Sequence, residues 1–197
     1  MIEKTEWTSK GVKITLQGEE YLIHTKAYLE ANVCEGQEVD LDALLLRSGY
    51  YYGLEKAEGY LIRGLRTRKQ LADYLLARDF VDPLESILDF LEEMGLINDL
   101  EYARVYYEQE RRHRGSYAII QRLRQRGVAS AVLAKIEMQE DPKDVLEILL
   151  KKYSFWEDID YKEEVKRKNF LLGRGFNHET INKAIKCAKN RKLEDKD

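Results

Sequence analysis

The stretch LLGRGFNHETI, residues 171–181, decides how the rest of the chain is read. Its tripeptide Arg174-Gly175-Phe176 has two upstream echoes, Arg126-Gly127-Val128 and Arg78-Asp79-Phe80, each 48 residues from the next. Three residues before each arginine stands a leucine: Leu75, Leu123 and Leu171. Seven before stand Leu71 and Ile119, but Arg167 in the third copy. A spacing shared by apolar anchors and arginines predicts one structural unit repeated three times.

The residue types give the tripeptide an architectural meaning. Glycine closes a helix at low cost because it adopts the left-handed conformation freely. Asp79 is a tolerable substitute there, since a short polar side chain visits that conformation more readily than most. A cation in a last turn interacts favourably with the helix dipole, and its stem covers apolar surface. Phe176 then reads as a core anchor, Gly175 as a helix terminator and Asn177 as the next helix's cap. Arg174 stays open between cap and contact.

Helix start and stop signals surround each copy. First helices are expected over residues 54–63, 100–112 and 142–153, and third helices over 83–94, 130–138 and 178–188. Thr67 with Gln70 forms a capping-box pattern. Asp82-Pro83 and Asp141-Pro142 each place a cap before a proline whose missing N–H costs nothing. Gly95 is a natural helix end. Before residue 50 the texture differs. Residues 12–16 alternate, Gln17-Gly18-Glu19 is turn-like, and Tyr21-Leu22-Ile23 is extended again, which predicts a β-hairpin. Short helices are expected over 27–33 and 40–47.

The predicted fold is mainly α: three tandem three-helix, helix-turn-helix-like repeats in an elongated stack, with an N-terminal extension of β-hairpin and short helices. The expected boundaries are 1–50 for the extension, 51–98 and 99–140 for two repeats, and 141–197 for a third with a charged tail. Units of this size bury little alone, so stacking is what stabilises them.

Composition supports a folded, helical chain. Of 197 residues 44% are apolar, 35% are charged and only two are proline, a balance with few helix breakers. Cys34 and Cys187 show no CxxC pattern and no secretory signal precedes them, which predicts a reduced cytoplasmic protein. Net charge is −3, yet it is segregated. Eight acids and no Lys or Arg fill residues 79–101, whereas seven arginines face two glutamates over 104–126. Such segregation suits a partner surface or contact with a polyanion, or simply solvated helix faces.

Catalytic patterns are missing. No phosphate-binding glycine motif occurs. His24, His113 and His178 are scattered, with no zinc-type spacing. Glu92 and Glu93 are adjacent on a helix and so face apart. No enzyme, cofactor or metal is expected. Tyr50-Tyr51-Tyr52 and Tyr106-Tyr107 are candidates for base stacking, but Tyr102, Val105 and Tyr106 share a helical stripe, which favours core packing.

Three stretches together resemble the RecX family of recombination regulators: GLRTRKQLADYLLARDF, then GLINDLEYARVYYEQERRHRG with IIQRLRQRGV, and NFLLGRGFNHETINKAI. The resemblance covers residues 51–188, and residues 1–50 resemble the extension of the family's longer form. Ile97-Asn98-Asp99 with Tyr102-Ala103 and the terminal Arg-Gly-Phe carry most of it. It implies a small bacterial cytoplasmic protein of three three-helix units with no catalytic residues. It further implies binding to the RecA recombinase and its filaments on single-stranded DNA, in DNA repair, recombination and the SOS response. There it would limit filament growth, strand exchange and ATP hydrolysis. The chain departs from the family pattern at Asn98, where Asp is usual, at Asp79, where Gly is, and at Arg167, a normally apolar position. The last implies a looser third unit or a displaced register.

Charge clustering selects a contact set for acidic protein surface or DNA phosphates, because the arginine fork grips both. Arg111, Arg112, Arg114, Arg122, Arg124 and Arg126 come first. Arg63, Arg66, Arg68 and Lys69 follow, then Lys166, Arg167, Lys168 and Arg174. The expected form is a monomer without a membrane partner and with weak direct DNA binding. The alternatives are a nucleic-acid-binding module acting without RecA, or a protein-binding scaffold docking through its acidic 79–101 block.

Overall fold

The computed structural model describes residues 1–153 and 159–194, and the side chains only as far as 190. The predicted charged tail therefore ends outside the described residues. Two compact units divide the chain, Met1–Asn98 and Asp99–Asp197.

The first unit opens with an antiparallel sheet of three strands, β1 (Lys4–Thr8), β2 (Gly11–Leu16) and β3 (Glu19–Ile23), in that order. The expected hairpin pairs Val12 with Ile23 and Leu16 with Glu19. A third strand, β1, lies on its other side; its five residues are almost all exposed, so no apolar alternation marks it in the sequence. Val12, Ile14 and Leu16 face inward and pack with Ile2, Ile23, Tyr28 and Leu44. Helix α1 (Thr25–Ala31) is capped by His24, whose Nδ1 accepts from the Lys26 N–H at 3.1 Å. That leaves the protonated Nε2 of the neutral ring facing Glu55 Oε1 at 3.1 Å.

The expected short helix over 40–47 and the separate helix over 54–63 are one helix, α2 (Leu41–Leu61). Gly49 and Gly53 do not break it, and Gly53 lets it approach its neighbours. A Cβ there would stand 2.5 Å from Ile87 Cδ1 and 3.2 Å from the Phe80 ring. Helices α3 (Arg68–Leu76) and α4 (Leu84–Glu93) complete the unit around Ala57, Leu71, Leu75, Ile87, Leu88, Leu91 and Ile97. The Thr67–Gln70 capping box is present in both directions. Asp82 is not the cap of α4. The Leu84 N–H bonds back to the Val81 carbonyl, so the first turn starts too late for the Asp82 side chain to reach it, and Pro83 takes the cap position.

The second unit holds α5 (Asp99–Glu110), α6 (Ser116–Gln125), the short α7 (Ser130–Leu133), α8 (Pro142–Lys152), α9 (Tyr161–Gly173) and α10 (His178–Glu194). Asp141 caps α8, accepting from the Lys143 N–H at 2.8 Å. Asn177 holds the Thr180 N–H at 2.8 Å as the cap of α10. Helix α7 stops well short of the expected residue 138.

The tripeptide repeat is a backbone motif made three times. The N–H groups of Phe80, Val128 and Phe176 bond to the carbonyls of Leu75, Leu123 and Leu171 at 3.3, 3.0 and 3.3 Å. The N–H groups of Asp79, Gly127 and Gly175 bond to those of Leu76, Arg124 and Leu172. This is the Schellman closure of α3, α6 and α9. Its left-handed residue has φ of +64° at Asp79, +91° at Gly127 and +83° at Gly175. The three leucines and Val128 and Phe176 are buried, as are Leu71 and Ile119.

Arg167 corrects an expectation twice. It sits in the register of Leu71 and Ile119, so the third unit is not displaced, and its side chain is only 6% exposed. The guanidinium lies 4.6 Å over the Tyr153 ring and pairs with Glu163 at 3.1 Å. A flat, weakly hydrated cation can be buried in this way where an ammonium could not. It is therefore a packing residue and not part of an outward surface.

Candidate anion-binding cleft

The basic residues chosen from the sequence fall into distinct environments. Arg68 is taken up by α4: its guanidinium meets Glu85, Asp89 and Glu92, one stripe of that helix, at 2.7, 2.6 and 2.7 Å. Arg66 stacks on Tyr60. Arg63 and Lys69 are exposed. Arg114 pairs with Glu110 at 2.6 Å, and Arg111 with Glu108 at 2.8 Å and more distantly with Asp144. Arg126 donates to the Tyr102 hydroxyl at 2.5 Å and covers Tyr106. Arg122 is half-buried and Arg124 exposed on α6. Lys166 and Lys168 face the Glu163 and Glu164 carboxylates.

Two members, Arg112 and Arg174, are brought to one place. Beyond α5 the chain turns through His113, Arg114 and Gly115. Gly115 then meets the end of α9, its N–H bonding to the Arg174 carbonyl at 3.0 Å, while the Tyr117 N–H takes the Gly175 carbonyl. The Arg174 side chain returns to the His113 carbonyl at 3.3 Å. Glu140 ties the same corner, accepting from the N–H groups of Ser116 and Asn177 at 2.8 and 2.9 Å. A carboxylate at two helix N-termini is favoured by both dipoles.

Beside this corner the second unit has an open cleft of about 580 Å³, lined by Arg112, His113, Glu147, Ile148, Lys151, Lys152, Phe170 and Arg174. Four cations face one carboxylate. Phe170 anchors two of them: Lys152 Nζ is 3.7 Å from its ring centroid and the Arg174 guanidinium 4.8 Å. Cations held over an aromatic ring lose little freedom on meeting an anion. Lys151, joined to Glu147 at 2.6 Å, holds that carboxyl below the usual carboxylate range, with Arg112 and His113 adding to the effect. Such a site attracts phosphate or carboxylate groups and contributes salt-sensitive binding.

Lys151 and Lys152 lie outside the residues chosen from the sequence. The only local signal is their adjacency at the C-terminus of α8, while their approach to Phe170 and Arg174 is a matter of packing. The tyrosines follow the packing reading: Tyr102, Tyr106 and Tyr107 are core residues, Tyr52 donates to the Lys10 carbonyl, and Tyr51 stacks on His24 and bonds Glu30. Both cysteines are free and exposed. Among the described residues no group of His, Cys, Asp and Glu could hold a metal, and no helix is long and apolar enough to cross a membrane.

Comparisons with known proteins agree with this architecture. The model of the third three-helix domain of RecX matches residues 141–185. A regulatory protein RecX of Clostridium botulinum is 30% identical over 141 residues, 68% of this chain and 66% of the relative. One of Clostridium perfringens is 29% identical over 64% of this chain and 63% of its own length. The chain thus spans just under two thirds of those relatives. A regulatory protein RecX of Clostridium tetani is 23% identical across 93% of this chain and 91% of its own. The crystal structure of RecX from Lactobacillus salivarius superposes with a TM-score of 0.59 at 27% identity, covering 70% of this chain and 95% of that one. A second crystal structure, of a regulatory protein RecX, shares the fold with a TM-score of 0.69 at 21% identity over 94% of this chain and 98% of that one.

Proposed function

Since the chain belongs to the RecX family of regulatory proteins, we propose that it is a non-catalytic cytoplasmic regulator of the RecA recombinase. It binds RecA and its filaments on single-stranded DNA and restrains filament extension, ATP hydrolysis and strand exchange. The observation that carries this reading is the cleft where Arg112, Lys151, Lys152 and Arg174 converge with one opposing carboxylate. A RecA filament offers it phosphates and carboxylates in regular array. Repeated units could engage neighbouring subunits and gain affinity from multivalence. The division of the chain into an N-terminal extension and three repeats bounded near residues 50, 98 and 140 belongs to the same proposal.

The exposed Arg63, Lys69 and Arg124, with the half-buried Arg122, serve as secondary contacts. RecA ATPase on single-stranded DNA, titrated with sub-stoichiometric protein, tests the reading. Inhibition is expected. No inhibition, together with tight DNA binding by the protein alone, would replace it with a nucleic-acid-binding module acting without RecA.

A further inference from the structure

The first unit carries a second surface, of opposite sign. A groove of about 700 Å³ runs between α2 and the α3–α4 connection, lined by Leu45, Leu46, Gly49, Phe80 and Pro83 and rimmed by Asp42, Asp79 and Asp82. Leu45 is 37% exposed and Leu46 51%, side by side on α2, while Leu44, between them and Ala43, is buried in the core. An adjoining cleft extends it toward Ala43 and Tyr50.

Two observations separate this rim from ordinary surface acids. Three carboxylates of α4, Glu85, Asp89 and Glu92, are each paired with the Arg68 guanidinium. Asp42, Asp79 and Asp82, by contrast, make no ion pair among the described residues. Arg47, at the far end, is already held by Glu30 at 2.7 Å and lies over Tyr50 and Tyr51. The unmet charge at the groove is negative.

Asp79 adds a second argument. It occupies the left-handed closing position of α3 with φ of +64°, where the equivalent closures of α6 and α9 use Gly127 and Gly175. Glycine would be the lower-strain choice. The aspartate places a carboxylate on the groove's rim instead.

We propose that this groove docks a segment of a partner protein that presents a large apolar side chain between lysines or arginines. The apolar floor takes the large side chain out of water. The three aspartates meet its basic neighbours, which gives register and a salt-sensitive on-rate. This surface is independent of the basic cleft and of the proposed RecA contact there.

The test uses the full chain and a fluorescein-labelled peptide made only of lysine and leucine, with a glutamate–leucine peptide of the same pattern as control. Saturable binding of the first peptide alone is expected, weakening with added salt. The triple variant Asp42→Asn, Asp79→Asn, Asp82→Asn keeps side chains that tolerate the same backbone and should weaken binding at least tenfold. Leu46→Asp should do the same, with circular dichroism and melting showing that both variants fold. If Leu46→Asp fails to fold, the triple variant decides alone. Equal binding of both peptides, no binding, or binding unchanged in the folded triple variant would overturn the proposal. So would a wild-type dimer in sedimentation that the triple variant dissolves, because the occupant would then be a second copy.

Discussion

The backbone N–H of Gly115 donates to the carbonyl of Arg174, and a Cβ on Gly115 would stand 2.1 Å from the Gly175 carbonyl oxygen. Two stretches far apart in sequence touch through bare backbone, and this contact sets the corner from which Arg112 and Arg174 reach the basic cleft. Gly115→Ala should therefore cost roughly 2–3 kcal/mol, as overpacking of a tight site does. Gly173→Ala, in α9 with nothing near its Cβ, should instead be neutral or stabilising by up to about 1 kcal/mol. Denaturant unfolding of both variants checks the contrast; equal stabilities would show that the corner is loose.

Arg167 fills a position that is Leu71 or Ile119 in the other repeats. Because Glu163 also has Lys166 and partial access to water, its carboxylate is not stranded when the arginine is replaced. Arg167→Leu should fall within about 1 kcal/mol of wild type, while Arg167→Ala should lose about 1–3 kcal/mol through the gap beside Tyr153. Unfolding curves decide this, and an unstable leucine variant would contradict it.

Acid should weaken the fold in a defined direction. Bonds from Arg167 and Lys166 hold the Glu163 carboxyl below its ordinary range, and bonds from Lys189 and Lys168 do the same for Glu164. The unfolded chain then takes up protons before the native state does. The stabilisation is complete above the unfolded carboxylate range, near about 4.3, and is lost as pH falls through the lower native values. Melting temperature should decline below that range, and Arg167→Leu should decline less steeply. A variant slope equal to that of wild type would rule out the Glu163 contribution.

Arg68 and Arg112 should behave oppositely, although both were chosen from the sequence as contacts. Arg68→Ala would leave Glu85, Asp89 and Glu92 facing one another and should lower stability by roughly 1 kcal/mol, with little effect on polyanion binding. Arg112→Ala should leave stability unchanged and reduce the salt slope of binding to single-stranded DNA or RecA filaments by about one phosphate contact. Melting and salt titration on the same two proteins separate the roles.

What the sequence reveals follows the range of the forces involved. The Schellman closures at Asp79, Gly127 and Gly175 were legible because the motif spans six consecutive residues and has few residue solutions. The Thr67 box and the Asp141 and Asn177 caps are equally local. The unbroken helix α2 was not legible as one element, since separate helices were expected over 40–47 and 54–63, and the contacts of Gly53 with Ile87 and Phe80 arise only from packing. Strand β1 was hidden because an exposed edge strand has no apolar alternation. Arg167 looked like a displaced register because Tyr153, over whose ring it lies, comes from just beyond the end of α8. Charge clustering found Arg112 and Arg174 but not Lys151 and Lys152, whose convergence depends on how α8 packs against α9.

The most direct test of the basic cleft is RecA ATPase on single-stranded DNA, titrated with the double variant Arg112→Glu, Lys152→Glu beside wild type. The cleft predicts that wild type inhibits and that the folded double variant needs at least tenfold more protein for the same inhibition. Arg111→Ala, whose guanidinium is already engaged by Glu108, should stay close to wild type. Undiminished inhibition by the folded double variant would contradict the account.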